Sequence, residues 1–209
     1  MSSQTRKLQL EGAAGAIEAV RDEPAADQPA RGVAIITHPH PLFGGTMDNK
    51  VVQTLARAFV QCGWSAVRFN FRGVGASAGV HDEGRGETED LLALVEQVAP
   101  TGPLALAGFS FGSFVASRAL QALWSARAIE KIVFVGTAVA RLDVPELPLQ
   151  AHERTLIIHG EQDDTVALTA VLDWARPQSL PVTVIPGGGH FFHGQLPLLK
   201  NLVVRHLRS

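Results

Sequence analysis

Residues Gly108, Phe109, Ser110, Phe111 and Gly112 stand where an apolar, strand-like run, LALAG, meets a small-residue, helix-like run, SFVASRAL. A G-x-S-x-G pattern at such a junction requires a strand to turn sharply into a helix, a demand that few architectures meet. A serine at the tip of that turn takes a strained backbone conformation, at a cost of roughly 1–3 kcal/mol. Only glycine-sized neighbours two positions to either side let strand and helix come so close. In return the hydroxyl projects clear of the sheet, and the NH of Phe111 points toward the oxygen of an attacked carbonyl. The helix begins at the serine, so its positive end faces the developing oxyanion. Ser110 is therefore a candidate nucleophile.

The pattern occurs twice, the second time as Gly75-Ala76-Ser77-Ala78-Gly79. There the serine is followed by VHDEGRGE, a charged, glycine-broken stretch expected to stay a loop. The required strand-turn-helix context is missing, and Ser110 is preferred.

Around the elbow, β-prone apolar runs alternate with helical patterns. Two short strands are expected at about 7–10 and 16–20, then VAIIT (33–37), SAVRFNF (65–71), LALAG, KIVFVG (131–136), TLIIHG (155–160) and VTVIPG (182–187). Between them the 3.6-residue period places a helix over Val51, Leu55, Phe59 and Cys62, ending at Gly63. Further helices are expected from Thr88 through Val98, after Ser110, near 166–176 and near 195–207. Such alternation predicts an α/β fold: a mostly parallel, twisted sheet with helices on both faces and antiparallel N-terminal strands.

With 209 residues, 46% of them hydrophobic, and no linker-like stretch, a single domain spanning 1–209 is expected. The net charge of −2 and the lack of any Lys/Arg cluster argue against nucleic acid or a polybasic membrane contact. No signal-peptide pattern opens the chain, and no run approaches the roughly 18 apolar residues of a membrane span. The lone Cys62 allows no internal disulfide and reads as core. A cytoplasmic protein without cofactor is the expectation; the oligomeric state is open.

In parallel sheets ligands bind beyond the carboxyl ends of strands. A serine there needs a base, and the base needs an orienting acid. After TLIIHG come Asp163 and Asp164; after VTVIPG come His190 and His193. Asp163 is preferred as the acid because Asp164 adjoins a helix start. His190 is preferred as the base because three glycines precede it and free its loop. The chain order Ser, Asp, His agrees with this architecture. The second oxyanion donor should come from His38-Pro39-His40-Pro41-Leu42-Phe43-Gly44-Gly45. The prolines have no NH, which leaves His40, Leu42, Phe43 or a glycine.

These motifs together resemble the α/β-hydrolase superfamily: GFSFGS as nucleophile elbow, NFRGVGAS after the preceding strand, HGEQD bearing the acid and GGGHFFHG the base. HPHPLFGGTMDNK is similar to the oxyanion loop of small prokaryotic hydrolases related to dienelactone-hydrolase-like esterases. The resemblance covers the chain from about residue 30. Its PLFG segment implies Leu42 as the second oxyanion donor, with His40 as runner-up. Dienelactone hydrolases use cysteine at the elbow, so their specific activity does not transfer to Ser110. Prolyl-oligopeptidase-type peptidases place a tyrosine near the oxyanion hole, and this chain has none.

The resemblance implies a serine hydrolase of carboxylesterase type. Small acyl esters or thioesters would be cleaved by Ser110, His190 and Asp163 through an acyl-enzyme. Acyl transfer, peptide cleavage and a catalytically silent binding scaffold are the alternatives. Where lipases of the superfamily carry a large lid, this chain has only the short Leu142–Glu153 connection. Phe43, His40 and Phe191 are expected to line the pocket, and Phe109 and Phe192 fit either pocket or core. His38 and His40 lack a third ligand at metal-site spacing and are read as shaping their loop. Arg72 is expected to pair with Asp82 or Glu83 or to meet an acidic substrate group.

Overall fold

The computed structural model describes residues 4–25 and 30–209. Strands β1 (Gln4–Gly12) and β2 (Gly15–Glu23) form a hairpin across a two-residue turn, longer than the sequence expectation because the pairing runs to the turn itself. The remaining strands are β3 (Val33–Thr37), β4 (Ser65–Phe69), β5 (Leu104–Phe109), β6 (Ile129–Val135), β7 (Thr155–Gly160) and β8 (Val182–Ile185). They form one eight-stranded sheet in the order β1-β2-β4-β3-β5-β6-β7-β8. The pairs β1–β2 and β2–β4 are antiparallel; all others are parallel. The chain runs outward from β3 to β4 and then returns to place β5 on the other side of β3. The strand order therefore reverses between β3 and β5, where loops diverge and leave a crevice at the carboxyl ends.

Helices α1 (Lys50–Gln61) and α5 (Leu196–Arg208) cover one face, packing Val52, Leu55, Phe59, Leu199 and Val203 on Ile36, Ala107 and Val135. Each large apolar side chain so buried contributes about 1.5–3 kcal/mol. Cys62, at the end of α1, is only half-buried against this core. The other face carries α2 (Arg85–Val98), α3 (Phe111–Leu123) and α4 (Leu168–Ala175), with Leu91, Val95, Val115 and Leu120 at the centre of their core. Phe109 and Phe192 are fully buried in the first core.

Helix α2 starts at Arg85, three residues earlier than expected and inside the stretch taken for loop. Side chains cap it: the Glu87 carboxylate accepts from the NH groups of Gly84 (2.8 Å) and Asp82 (3.0 Å), and Asp82 accepts from the NH of Gly86 (3.0 Å). Thr88 lies within the first turns and donates its hydroxyl to the Gly84 carbonyl. Ser77 is in a turn, its hydroxyl donating to the Asn70 carbonyl (2.7 Å) and accepting from the Glu18 NH (3.0 Å). The first contact closes the loop after β4 on itself and the second fastens it to the N-terminal hairpin, a structural role. Arg72 pairs with Asp90 at 2.7 Å, not with Asp82 or Glu83. The side chain lies across Gly86, so its guanidinium is directed down onto α2 instead of along its own loop.

Candidate active site

Ser110 has φ +56° and ψ −120°, a conformation that L-residues occupy only under strain. The surroundings enforce it. A Cβ on Gly108 would stand 2.6 Å from the carbonyl carbon of Gly112, and one on Gly112 would stand 2.5 Å from the carbonyl oxygen of Thr37. Strand β5, strand β3 and helix α3 thus meet at backbone-to-backbone distance. Thr37 fixes the junction by donating its hydroxyl to the carbonyls of Gly112 (2.8 Å) and Ala107 (3.0 Å).

His190, in the loop after β8, places Nε2 3.1 Å from the Ser110 hydroxyl oxygen. Its Nδ1 donates to Asp163 Oδ2 at 2.7 Å. The other oxygen of Asp163 accepts from the NH groups of Thr165 (2.9 Å) and Val166 (2.8 Å). Burial alone would raise the Asp163 carboxyl, but the bonds from His190 and Val166 and the neighbouring imidazoles outweigh it and hold the group below its ordinary value. The His190 ring lies between Phe109 (centroids 4.9 Å) and Phe191 (5.1 Å), which shield it from water. Asp164 and His193 are exposed.

The loop after β3 carries a short 3-10 turn over Pro41–Phe43. His38 is fully buried, with Nδ1 donating to the Pro39 carbonyl (2.6 Å) and Nε2 accepting from the Phe71 NH (3.0 Å). It joins the ends of β3 and β4, and burial lowers its pKa to about 4. Leu42 lies within that 3-10 turn. Its NH is directed at His40 Nδ1 (3.3 Å), and its side chain is 69% exposed. Phe43 and Gly45 both donate to the His40 carbonyl, and Gly44 donates to that of Pro41. Of the candidate donors His40, Leu42, Phe43, Gly44 and Gly45, only the His40 NH is left without an acceptor among the described residues. The His40 ring is held between Phe43, His81 and Phe111. Burial, reinforced by His81 and opposed by Glu87, lowers its pKa, so the neutral ring keeps a lone pair for the Leu42 NH.

Two cavities meet at Ser110. One, of about 300 Å³, is bounded by His190, Phe191, Gly44, Gly45, Asn49 and Thr165. The other, of about 670 Å³, is walled by Leu42, Phe111, Ala138, Leu142 and Val166, with Glu83 and Asp143 at its side. Phe43, 78% exposed, and His40 border both.

Several residues that shape the site carry weak sequence signals. Thr37 is only the last residue of VAIIT. His159, inside TLIIHG, contacts the Val166 carbonyl through Nε2 (2.8 Å) and so holds the acid-bearing loop against β7. Arg141 borders both cavities from the loop after β6. Among the described residues no group of His, Cys, Asp and Glu has the disposition of a metal site, and no helix is long and apolar enough to cross a membrane.

The profile of a family described as serine aminopeptidase, S33, matches residues 28–156. An uncharacterized protein of Rickettsia prowazekii (strain Madrid E) is 31% identical over 180 residues, covering 80% of this chain and 74% of that one. An α/β serine hydrolase without lid from Xanthomonas campestris is 36% identical, with a TM-score of 0.87 over 100% of this chain and 95% of the other. An α/β serine hydrolase homologue from Coxiella burnetii is 37% identical, with a TM-score of 0.82 over 99% of this chain and 98% of the other. In fold, in the short connection that takes the place of a lid, and in sequence, the chain belongs to the serine aminopeptidase S33 family of α/β serine hydrolases.

Proposed function

We propose that the protein is a serine esterase acting on small acyl esters or thioesters. The observation that carries this reading is the continuous set of contacts from Asp163 through His190 to a serine on a positive-φ elbow. His190 Nε2 takes the Ser110 proton as the hydroxyl attacks the carbonyl, and Asp163 holds the tautomer that leaves Nε2 free to accept it. The oxyanion forms opposite the NH of Phe111, the first residue of α3, and the NH of His40, which replaces Leu42 in that role. Each such donor is worth roughly 2.7–4 kcal/mol in the transition state. His190 then protonates the leaving group, and water repeats the sequence on the acyl-enzyme.

The test is a panel of p-nitrophenyl esters of increasing acyl length, with Ser110→Ala as control. Esterase activity lost in Ser110→Ala supports the reading; equal rates in the two proteins overturn it.

Aminopeptidase activity is the second reading, favoured by the family description and by Glu83 and Asp143 beside the larger cavity. A carboxylate there would meet the α-amino group of an N-terminal residue held as the acyl portion. Amino-acid p-nitroanilides, assayed beside the esters, separate the two: faster turnover of the anilides makes the protein a peptidase.

A further inference from the structure

The two cavities at Ser110 are chemically unlike. His190 must hand its proton to the departing atom, so the leaving group occupies the cavity that His190 borders and the acyl portion occupies the other. Carboxylates stand beside the acyl cavity, as Glu83 and Asp143. The leaving-group cavity has no carboxylate among its bordering residues, and Arg141, which borders both cavities, is the cation on its edge.

Arg141 differs from the other arginines between Arg21 and Arg176. Each of the others from Arg21 to Arg176 has its guanidinium on a carboxylate, a carbonyl, an amide oxygen or an aromatic ring. Arg141 has no such partner among the described residues, although Asp143 and Glu83 border the same acyl cavity. Asn49 supplies a second donor. Its Oδ1 accepts from the Val51 NH at 2.8 Å to cap α1, which fixes the amide orientation and leaves the NH2 group over. That NH2 group has no acceptor among the described residues. A guanidinium and an amide NH2 bordering a cavity without carboxylates make a donor set for an oxyanion.

We infer that this leaving-group cavity binds an anionic group, a carboxylate or a phosphate, carried on the alcohol or thiol portion of the substrate. Arg141 is the specificity-determining residue and Asn49 assists it. The inference rests on the proposed esterase reading for which side of Ser110 is which. At about 300 Å³ the cavity suits a small charged alcohol.

The experiment compares phenyl butyrate, 4-carboxyphenyl butyrate and monophenyl adipate as substrates of the wild-type protein, Arg141→Gln, Arg141→Lys and Asn49→Asp. Asn49→Asp keeps the oxygen that caps α1 and removes the NH2 donor. The readout is the ratio of kcat/KM for each anionic ester to that for phenyl butyrate, because the esters differ in intrinsic reactivity and only the change between proteins counts. The 4-carboxyphenyl ratio is expected to fall about tenfold in Arg141→Gln and in Asn49→Asp, in line with loss of a charge-assisted bond, and to recover in part in Arg141→Lys. Added salt should shrink the wild-type ratio. An unchanged 4-carboxyphenyl ratio in Arg141→Gln overturns the inference, as does a fall confined to monophenyl adipate, which would place the anion on the acyl side. Failure of the esterase reading looks different: wild-type protein would then turn over phenyl butyrate no faster than Ser110→Ala does.

Discussion

The Nε2 atom of His190 lies 3.1 Å from the hydroxyl oxygen of Ser110, a residue 80 positions away in the chain. That separation is closed by two parallel strands and by glycines that let backbones touch, so chemistry and packing depend on the same few residues. If the contact performs the proposed proton transfer, Ser110→Ala should lower kcat by at least about a thousandfold. Asp163→Asn keeps an oxygen for the Thr165 and Val166 NH groups yet favours the wrong imidazole tautomer, so a fall on the order of 10⁴ is expected. Steady-state kinetics on a p-nitrophenyl ester, with circular dichroism to check folding, measure both.

Strain at the nucleophile predicts a trade between activity and stability. With φ at +56°, position 110 suits glycine better than serine. Ser110→Gly should abolish activity and stabilise the fold by about 1 kcal/mol, a rise of about 2–4 °C in Tm. Scanning calorimetry decides it; a lowered Tm would mean that the elbow is unstrained.

His40 offers a substitution that removes one NH and little else from the backbone. Its φ is −53°, within the range proline adopts. His40→Pro should lower kcat about 10²–10³-fold below His40→Ala, which loses the same ring and keeps the NH. Equal kcat in the two variants would assign the oxyanion donor elsewhere.

His38 makes stability depend on pH. Its folded pKa of about 4 lies below the ordinary 6.5, so the folded state keeps the ring neutral while the unfolded chain takes up a proton. The stabilisation is complete above about pH 6.5 and is lost as pH falls toward 4, because the unfolded state binds more protons throughout that window. The loss should reach roughly 3 kcal/mol if the whole shift is expressed. His206, also lowered to about 4 by burial and by Lys131, acts in the same direction. Urea denaturation at pH 7.5 and pH 4.5 measures the sum, and His38→Asn should flatten the slope.

The close approach of α3 to β3 predicts that Gly112→Ala is costly. Its Cβ would meet the Thr37 carbonyl at 2.5 Å, and the obstacle is backbone that cannot rotate away. A loss of about 1–3 kcal/mol in urea denaturation is expected, together with weakened catalysis as the elbow shifts. A fully stable Gly112→Ala protein would show that helix and strand can separate freely.

Much of the fold could be read in advance because its signals are local. Strand runs, glycine spacing and the 3.6-residue period of α1 lie within short windows of chain. The early start of α2 could not, because Glu87 and Asp82 reach backward to hold NH groups, and a list of charged and glycine residues does not display that geometry. The partner of Arg72 is hidden from the sequence for a related reason: the nearest carboxylates along the chain are not those in space, and Asp90 comes within reach only once α2 packs beneath the loop.

The sequence by itself determined the order of strands and helices and the strand-end positions of Ser110, Asp163 and His190, since each of those residues follows a local strand or turn signal. Tertiary structure decided which loop NH remains free, since Leu42 and His40 differ only in the hydrogen bonds their own turn makes. It also decided that Arg141 and Asn49, far apart in the chain, border one cavity without carboxylates. That last outcome depends on distances between segments that meet at the strand ends, and no local pattern encodes such distances.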